Sequence, residues 1–336
     1  MDKRIIFAVA GSGKTTHIVD SLSLDKRSLI VTYTNSNFDN LSEKIVNKFE
    51  GKWPQNVTLM TFFQFLYRFC YKPFLSDKVR ARGMIYEPNP NPRAKQSSVN
   101  YYISSGGYFY SNRLSLFLEK VNTIDDIKGR IETYFDELII DEVQDIAGRD
   151  FNFLEHLMGT NVNMLFVGDF FQHTYDTSRD GNVNQSLFDN DSAYKARFTN
   201  KGFTLDTATL VNSWRCGKNI CDFVTRNLDI DILSNRDDDE NLNITFISDS
   251  AQVVSILNDP NIVKLHYWKS SSFGQGHKNW GDTKGEDCYE DVCVMLNKST
   301  AKKYSQGKLR ELPPATRNKL YVAITRAHGN VYLVNE

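Results

Sequence analysis

The sequence predicts an α/β chain built on mostly parallel sheets. Three observations carry that reading. Short β-rich apolar runs alternate with helix-length amphipathic runs along the whole chain. The first of these runs, Arg4–Val9, leads through a glycine-containing turn into a helical stretch that opens with Lys14 and Thr15. Two later runs, Glu137–Asp141 and Asn163–Gly168, end in or beside carboxylates. Open α/β sheets bind ligands at that end of their strands.

The elements follow in order. Strands are expected at Arg4–Val9, Leu29–Tyr33, Val57–Met60, Glu137–Asp141, Asn163–Gly168, Thr204–Leu210, Asn243–Ile247, Val263–Tyr267, Asp291–Leu296 and Asn330–Val334. Each is a short run rich in apolar and β-branched residues. Helices are expected at Lys14–Leu22, Asn37–Phe49, Phe62–Phe69, Asp150–Leu157, Gly217–Asn227 and Pro314–Ala327. Tyr71 to Thr133 breaks the rhythm with a Pro/Asn loop at Glu87–Pro92 and reads as an insert. That insert carries Lys78, Arg80, Arg82, Arg93 and Lys95, either a guide for an anion or a solvated loop. Arg236–Glu240 reads as a solvated acidic loop. A new strand series after Asn200–Phe203 places a domain change there, giving a first domain over 1–202 and a second over 203–336.

Composition narrows the functional classes. The 336 residues hold 40 basic and 41 acidic side chains, a net charge of −1, which excludes a bulk polycation. Any nucleic-acid contact must come from a local groove. No apolar run has the length of a membrane span, and the start is interrupted too early to read as a signal peptide. Five cysteines are too sparse for a disulfide framework and fit a reducing cytoplasm. Cys216/Cys221 and Cys288/Cys293 have spacings that zinc sites tolerate, but buried free thiols explain them more simply.

Ala8-Val9-Ala10-Gly11-Ser12-Gly13-Lys14-Thr15 has the pattern A-x4-G-K-T of a phosphate-binding loop. Its glycines let the backbone curl so that successive N–H groups face phosphate oxygens. The helix that follows offers its positive end to the anion. Lys14 would meet the β/γ-phosphates, and the Thr15 hydroxyl would ligate Mg²⁺. Asp141 suits direct or indirect Mg²⁺ binding, and Glu142 suits polarising the attacking water. Gly168-Asp169-Phe170-Phe171-Gln172 ends a third strand, and Gln172 can put an amide near a γ-phosphate.

Taken together and in order, these motifs resemble those of the UvrD/Rep-like superfamily 1 helicases over nearly the whole chain. Ala8–Thr15 resembles motif I, and Val31–Asn35 resembles motif Ia. Thr61-Phe62-Phe63-Gln64-Phe65 resembles motif Ib, and Asp141–Asp145 the D-E-x-Q-D form of motif II. Gly168–Tyr175 resembles motif III, and Asn212–Cys216 motif IV. Thr283-Lys284-Gly285-Glu286 resembles motif V. Leu320–Ala327 is close to motif VI word for word.

The resemblance implies two RecA-like domains with ATP and Mg²⁺ between them and a small insert, about 71–133, in the first. It implies an ATP-dependent translocase or helicase on single-stranded DNA, moving 3′ to 5′, with RNA as a possible alternative strand. Ala10, Gly11, Ser12, Gly13, Lys14, Thr15 and Thr16 would line the nucleotide. Arg215 and Arg326 would act on the γ-phosphate, Gln172 would sense it, Trp214 would stack on adenine and Glu286 would hold the ribose. Thr34, Asn35, Thr61, Phe62 and Thr283 would touch the nucleic acid. The family's Gln-containing adenine motif has no counterpart before Ala8, and Asp287 occupies the place where the family's ribose-binding Glu usually stands. The inserts are reduced, which implies a protein partner. It also leaves a second reading open: an ATP-gated nucleic-acid- or partner-binding subunit of a larger repair or phage-defence complex, without processive unwinding.

Overall fold

Lys3–Phe7 forms β1, whose Ile5 and Ile6 are fully buried. The computed structural model describes residues 1–174, 182–236 and 243–336. They fall into two compact units. The first comprises Met1–Ile6, Thr15–Gly168 and Asp176–Asp206, and the second Phe7–Lys14, Asp169–Tyr175 and Thr207–Glu336.

In the first unit, β2 (Ser28–Thr32), β3 (Val57–Thr61), β4 (Gly83–Ile85), β5 (Tyr108–Tyr110), β6 (Glu137–Asp141), β7 (Asn163–Gly168) and β8 (Thr204–Asp206) follow in chain order. The six-stranded sheet runs β3-β2-β6-β7-β1-β8. Its β2–β3, β2–β6, β6–β7 and β1–β8 pairings are parallel. All of β2 is buried, as expected of a parallel strand with both faces covered. Thr204–Asp206 was expected to open the second strand series. Instead it pairs with β1 at the edge of the first sheet, where Arg4 and Asp206 form an ion pair.

The insert is built on a local feature that periodicity did not reveal. A capping box formed by Thr61 and Gln64 starts a helical turn at Phe62–Gln64, which continues as a π-helix over Phe65–Tyr71. The small parallel pair β4–β5 and the helices Leu114–Lys120 and Ile124–Tyr134 complete it. Lys78, Arg80, Arg82, Arg93 and Lys95 are all exposed there.

The second unit contains β9 (Asn212–Ser213), β10 (Leu233–Ser234), β11 (Ile244–Ile247), β12 (Val263–His266), β13 (His277–Asn279), β14 (Val292–Leu296) and β15 (Val331–Asn335). Its five-stranded sheet runs β11-β15-β14-β12-β13, with every pairing parallel. Helices Lys218–Leu228 and Pro314–Ile324 bury Ile220, Val224, Leu320 and Ile324 against Val292, Val294 and Leu333. Trp280 is wholly buried, and its indole N–H donates to the Leu265 carbonyl at 3.0 Å. The same core takes in Val9 and Ala10 of the phosphate loop. Among the described residues, no helix is long and apolar enough to cross a membrane.

Candidate nucleotide site

The second unit holds the phosphate loop from Phe7 to Lys14. Gly11 and Gly13 have φ of +70° and +84°, the left-handed backbone that aims successive N–H groups to one side. The Ser12 hydroxyl is buried and has no hydrogen-bond partner among the described residues. The loop is pinned by its neighbours. Val9 N–H donates to the Leu210 carbonyl at 3.0 Å, and Trp214 N–H donates to the Gly11 carbonyl at 2.9 Å. A Cβ at Gly11 would stand 2.6 Å from the Cβ of Arg215, so only glycine permits this approach. Lys14 is half-buried at the start of the helix Lys14–Ser21.

Trp214 is 65% exposed beside the loop, an open aromatic face next to a phosphate cradle. Arg215 bonds Asp287 at 2.5 Å and the Thr325 carbonyl at 3.1 Å. Burial pushes the Asp287 carboxyl up, but hydrogen bonds from Arg215 and His328 outweigh it and hold the group below its ordinary value. Arg326 is buried after the end of the helix Pro314–Ile324. It donates to the carbonyls of Val322 (3.2 Å), Thr283 (3.3 Å) and Glu286 (3.1 Å). Burial, reinforced by the charge of Arg215, brings its guanidinium down to about 10. Two arginines so close repel each other, which leaves the pair suited to an anion. The Glu286 carboxylate is engaged by Lys278 at 2.6 Å and by the Tyr289 hydroxyl.

Gln172 lies in a 3₁₀ turn over Phe170–Gln172, and its amide donates to Asp169 at 2.8 Å. Asp169 also caps the turn by accepting from Phe171 N–H at 3.1 Å. Tyr175 and the stretch 176–179, read with motif III, lie outside the described residues, as does most of the acidic stretch Arg236–Glu240.

The first unit holds the two carboxylates Asp141 and Glu142. Asp141 closes β6 and is buried, accepting from the Thr32 hydroxyl at 3.0 Å. Glu142 takes φ 53°, ψ 47°, an uncommon left-handed conformation for a side-chain-bearing residue. Such strain persists only when the surroundings enforce it, and it collects at functional sites. Here the enforcement is visible. Gln144 donates to the Glu142 carboxylate, and the Gly168 backbone passes so close to Gln144 and Val143 that a Cβ there would collide with both. Thr15 is half-buried. Thr16 is exposed and accepts from Lys44 Nζ, on another helix, at 3.0 Å.

The expected nucleic-acid residues separate into two groups. Thr34 caps the helix Asn35–Lys48 by accepting from Asn37 N–H at 3.1 Å, and Thr34 and Asn35 are exposed. Thr61 spends its hydroxyl in the capping box with Gln64. Phe62 is only 2% exposed and packs on Tyr33 at 6.0 Å, so it has no open face for a base. The partly exposed ring is its neighbour Phe63, which meets Tyr33 at 5.5 Å and the exposed Tyr86 at 5.3 Å. Thr283 is fully buried, and its hydroxyl donates to the Trp280 carbonyl at 3.0 Å, which removes it from any surface. Cys216, Cys221 and Cys293 are buried thiols, and burial raises each, Cys293 to about 12.

Sequence reasoning passed over Tyr321. Within an apolar helix it looks like core, yet its hydroxyl meets the phosphate loop and Asp169. Tyr33 and Phe63 lie within the stretches likened to motifs Ia and Ib but were not singled out, nor was Tyr86, since exposure is not written in residue type.

The fold is similar to the RecA-like domains of superfamily 1 helicases. The chain matches a structure described as a complex of arterivirus nonstructural protein 10 (helicase) with DNA, with a TM-score of 0.52 and 15% identity, over 99% of this chain and 60% of that one. The PRRSV helicase matches with a TM-score of 0.49 and 14% identity, over 99% of this chain and 52% of that one. The chain therefore spans less than two thirds of the length of these helicases. No curated protein matches it. Residues 2–178, more than half of the chain, match the family model described as an AAA domain, and the chain belongs to that family.

Proposed function

We propose that this chain is a superfamily 1 ATPase motor that moves along single-stranded DNA, 3′ to 5′, in a reducing cytoplasm. The observation that carries the reading is the phosphate loop seated on Trp214 and Arg215, with Gly11 as the point of closest approach. A curled loop of N–H donors, a buried hydroxyl with no partner, a lysine, two arginines and an open indole together suit a purine triphosphate. Ala10 to Thr16 bind the phosphates, Trp214 stacks on the base and Glu286 holds the ribose. Arg215 and Arg326 stabilise charge on the γ-phosphate, and arginines in that role are worth roughly 10³–10⁵ in rate. Glu142 orients the attacking water, and Gln172 reports the γ-phosphate.

Mg²⁺ fits the donor chemistry, since Thr15 and the buried Asp141 offer hard oxygen ligands. When bound, the ion neutralises charge on the phosphates. On the nucleic-acid side the exposed residues Thr34, Asn35 and Tyr86, with the half-buried Tyr33 and Phe63, are the candidate surface. Base stacking on such rings contributes about 1–3 kcal/mol per base.

The test is ATP turnover with and without oligo(dT) or oligo(U), beside strand displacement on tailed duplexes of both polarities. The motor reading expects stimulated turnover and movement from 3′ to 5′. Stimulation without displacement or translocation favours the ATP-gated subunit of a larger complex. Turnover indifferent to every strand removes the motor.

A further inference from the structure

One hydroxyl joins the phosphate loop to the turn that carries Gln172. Tyr321 is fully buried on the helix Pro314–Ile324. Its oxygen accepts from Ala10 N–H at 2.8 Å. Since Ala10 can only donate there, the hydroxyl's own hydrogen is free to go to Asp169 Oδ2, 3.0 Å away. The same Asp169 oxygen accepts from Gln172 Nε2 at 2.8 Å, while Oδ1 caps Phe171 N–H at 3.1 Å. That bond ties the Gln172 amide to the Asp169 carboxylate. Burial raises the Tyr321 hydroxyl well above its ordinary value, so it remains a donor at every working pH.

We propose that Tyr321 is a positioning residue that fixes the Gln172 amide through Asp169 and ties its orientation to the state of the phosphate loop. The inference rests on the nucleotide-hydrolysis reading and deepens it. Buried polar chains of this kind act as units, because loss of one member leaves the others unsatisfied. Tyr321→Phe keeps the ring, removes the link to Asp169 and leaves the Ala10 N–H without this acceptor.

The experiment is a double-mutant cycle on ATP turnover with Tyr321→Phe, Gln172→Ala and the pair, alongside the affinity for a non-hydrolysable ATP analogue and the thermal midpoint. The expected result is a kcat lowered roughly 10–100-fold in Tyr321→Phe, up to the cost of a small misplacement of a positioned group. Analogue affinity changes less than kcat, and the double variant is no slower than Gln172→Ala alone. Asp169→Asn, which preserves shape, should show the same kcat loss and serves if Tyr321→Phe does not fold. Losses that multiply in the double variant, or a kcat fall matched by an equal loss of analogue affinity, overturn the inference and leave the hydrolysis reading standing. A wild-type protein without turnover overturns both.

Discussion

Glu142 is held in an uncommon backbone conformation. Its left-handed backbone departs from what a β-strand end would choose, and Gln144 and Gly168 hold it there. The proposed role for this fixed side chain is to orient the attacking water. Glu142→Gln should keep nucleotide affinity and lower kcat by about 10²–10⁴, the span of a lost general base. Single-turnover kinetics with an independent binding assay check this, and unaltered turnover would remove the assigned role. Gly11 is the opposite case, a residue needed for what it lacks. Gly11→Ala forces a Cβ into Arg215 and Ser213 on a backbone at φ +70°. It should abolish nucleotide binding in a titration with a fluorescent ATP analogue while the far-ultraviolet circular dichroism stays unchanged.

At the scale of elements, β7 and the turn after β6 depend on each other through Gly168. Gly168→Ala should cost about 1–3 kcal/mol by overpacking against Val143 and Gln144. It should also lower turnover, because it disturbs the residue that holds Glu142. Denaturant melts and ATP turnover together test this. The helix Lys14–Ser21 carries a pH dependence. Burial first, and then the charge of Arg4, lower the affinity of His17 for a proton. As pH falls below about 6.5, the unfolded chain takes up that proton before the folded one does, so stability falls. His17→Gln should flatten the thermal midpoint between pH 7.5 and 5.5 relative to the wild type, and an unchanged slope would contradict it.

Each long apolar strand could be read in the sequence, because a strand buried on both faces announces itself as a run such as Leu29–Thr32 or Leu138–Ile140. His277–Asn279 could not, since three polar residues become a strand only by pairing with β12. Motif spacing singled out the phosphate loop, the carboxylates and the arginines. It could not tell the buried Phe62 from its more open neighbour Phe63, nor see that Thr283 turns inward. Those distinctions depend on which face of a short turn meets the core. Tyr321 was hidden for the same reason: its role exists only where Ala10 and Asp169 converge.

For the whole molecule, the carboxylates Asp141 and Glu142 belong to the first unit, and the loop to Lys14, Gln172, Trp214, Arg215 and Arg326 belong to the second. Coupling hydrolysis to movement requires that the nucleotide state change the grip on the strand, and linkage makes the strand change nucleotide affinity by the same factor; the motor reading adds a strand-dependent turnover. The most direct measurement is steady-state ATP turnover by the wild-type chain as oligo(dT) is titrated in, with Glu142→Gln as the blank. The account predicts a saturable rise in kcat severalfold above the strand-free rate, and none in the variant. A rate that stays flat across the titration would contradict it.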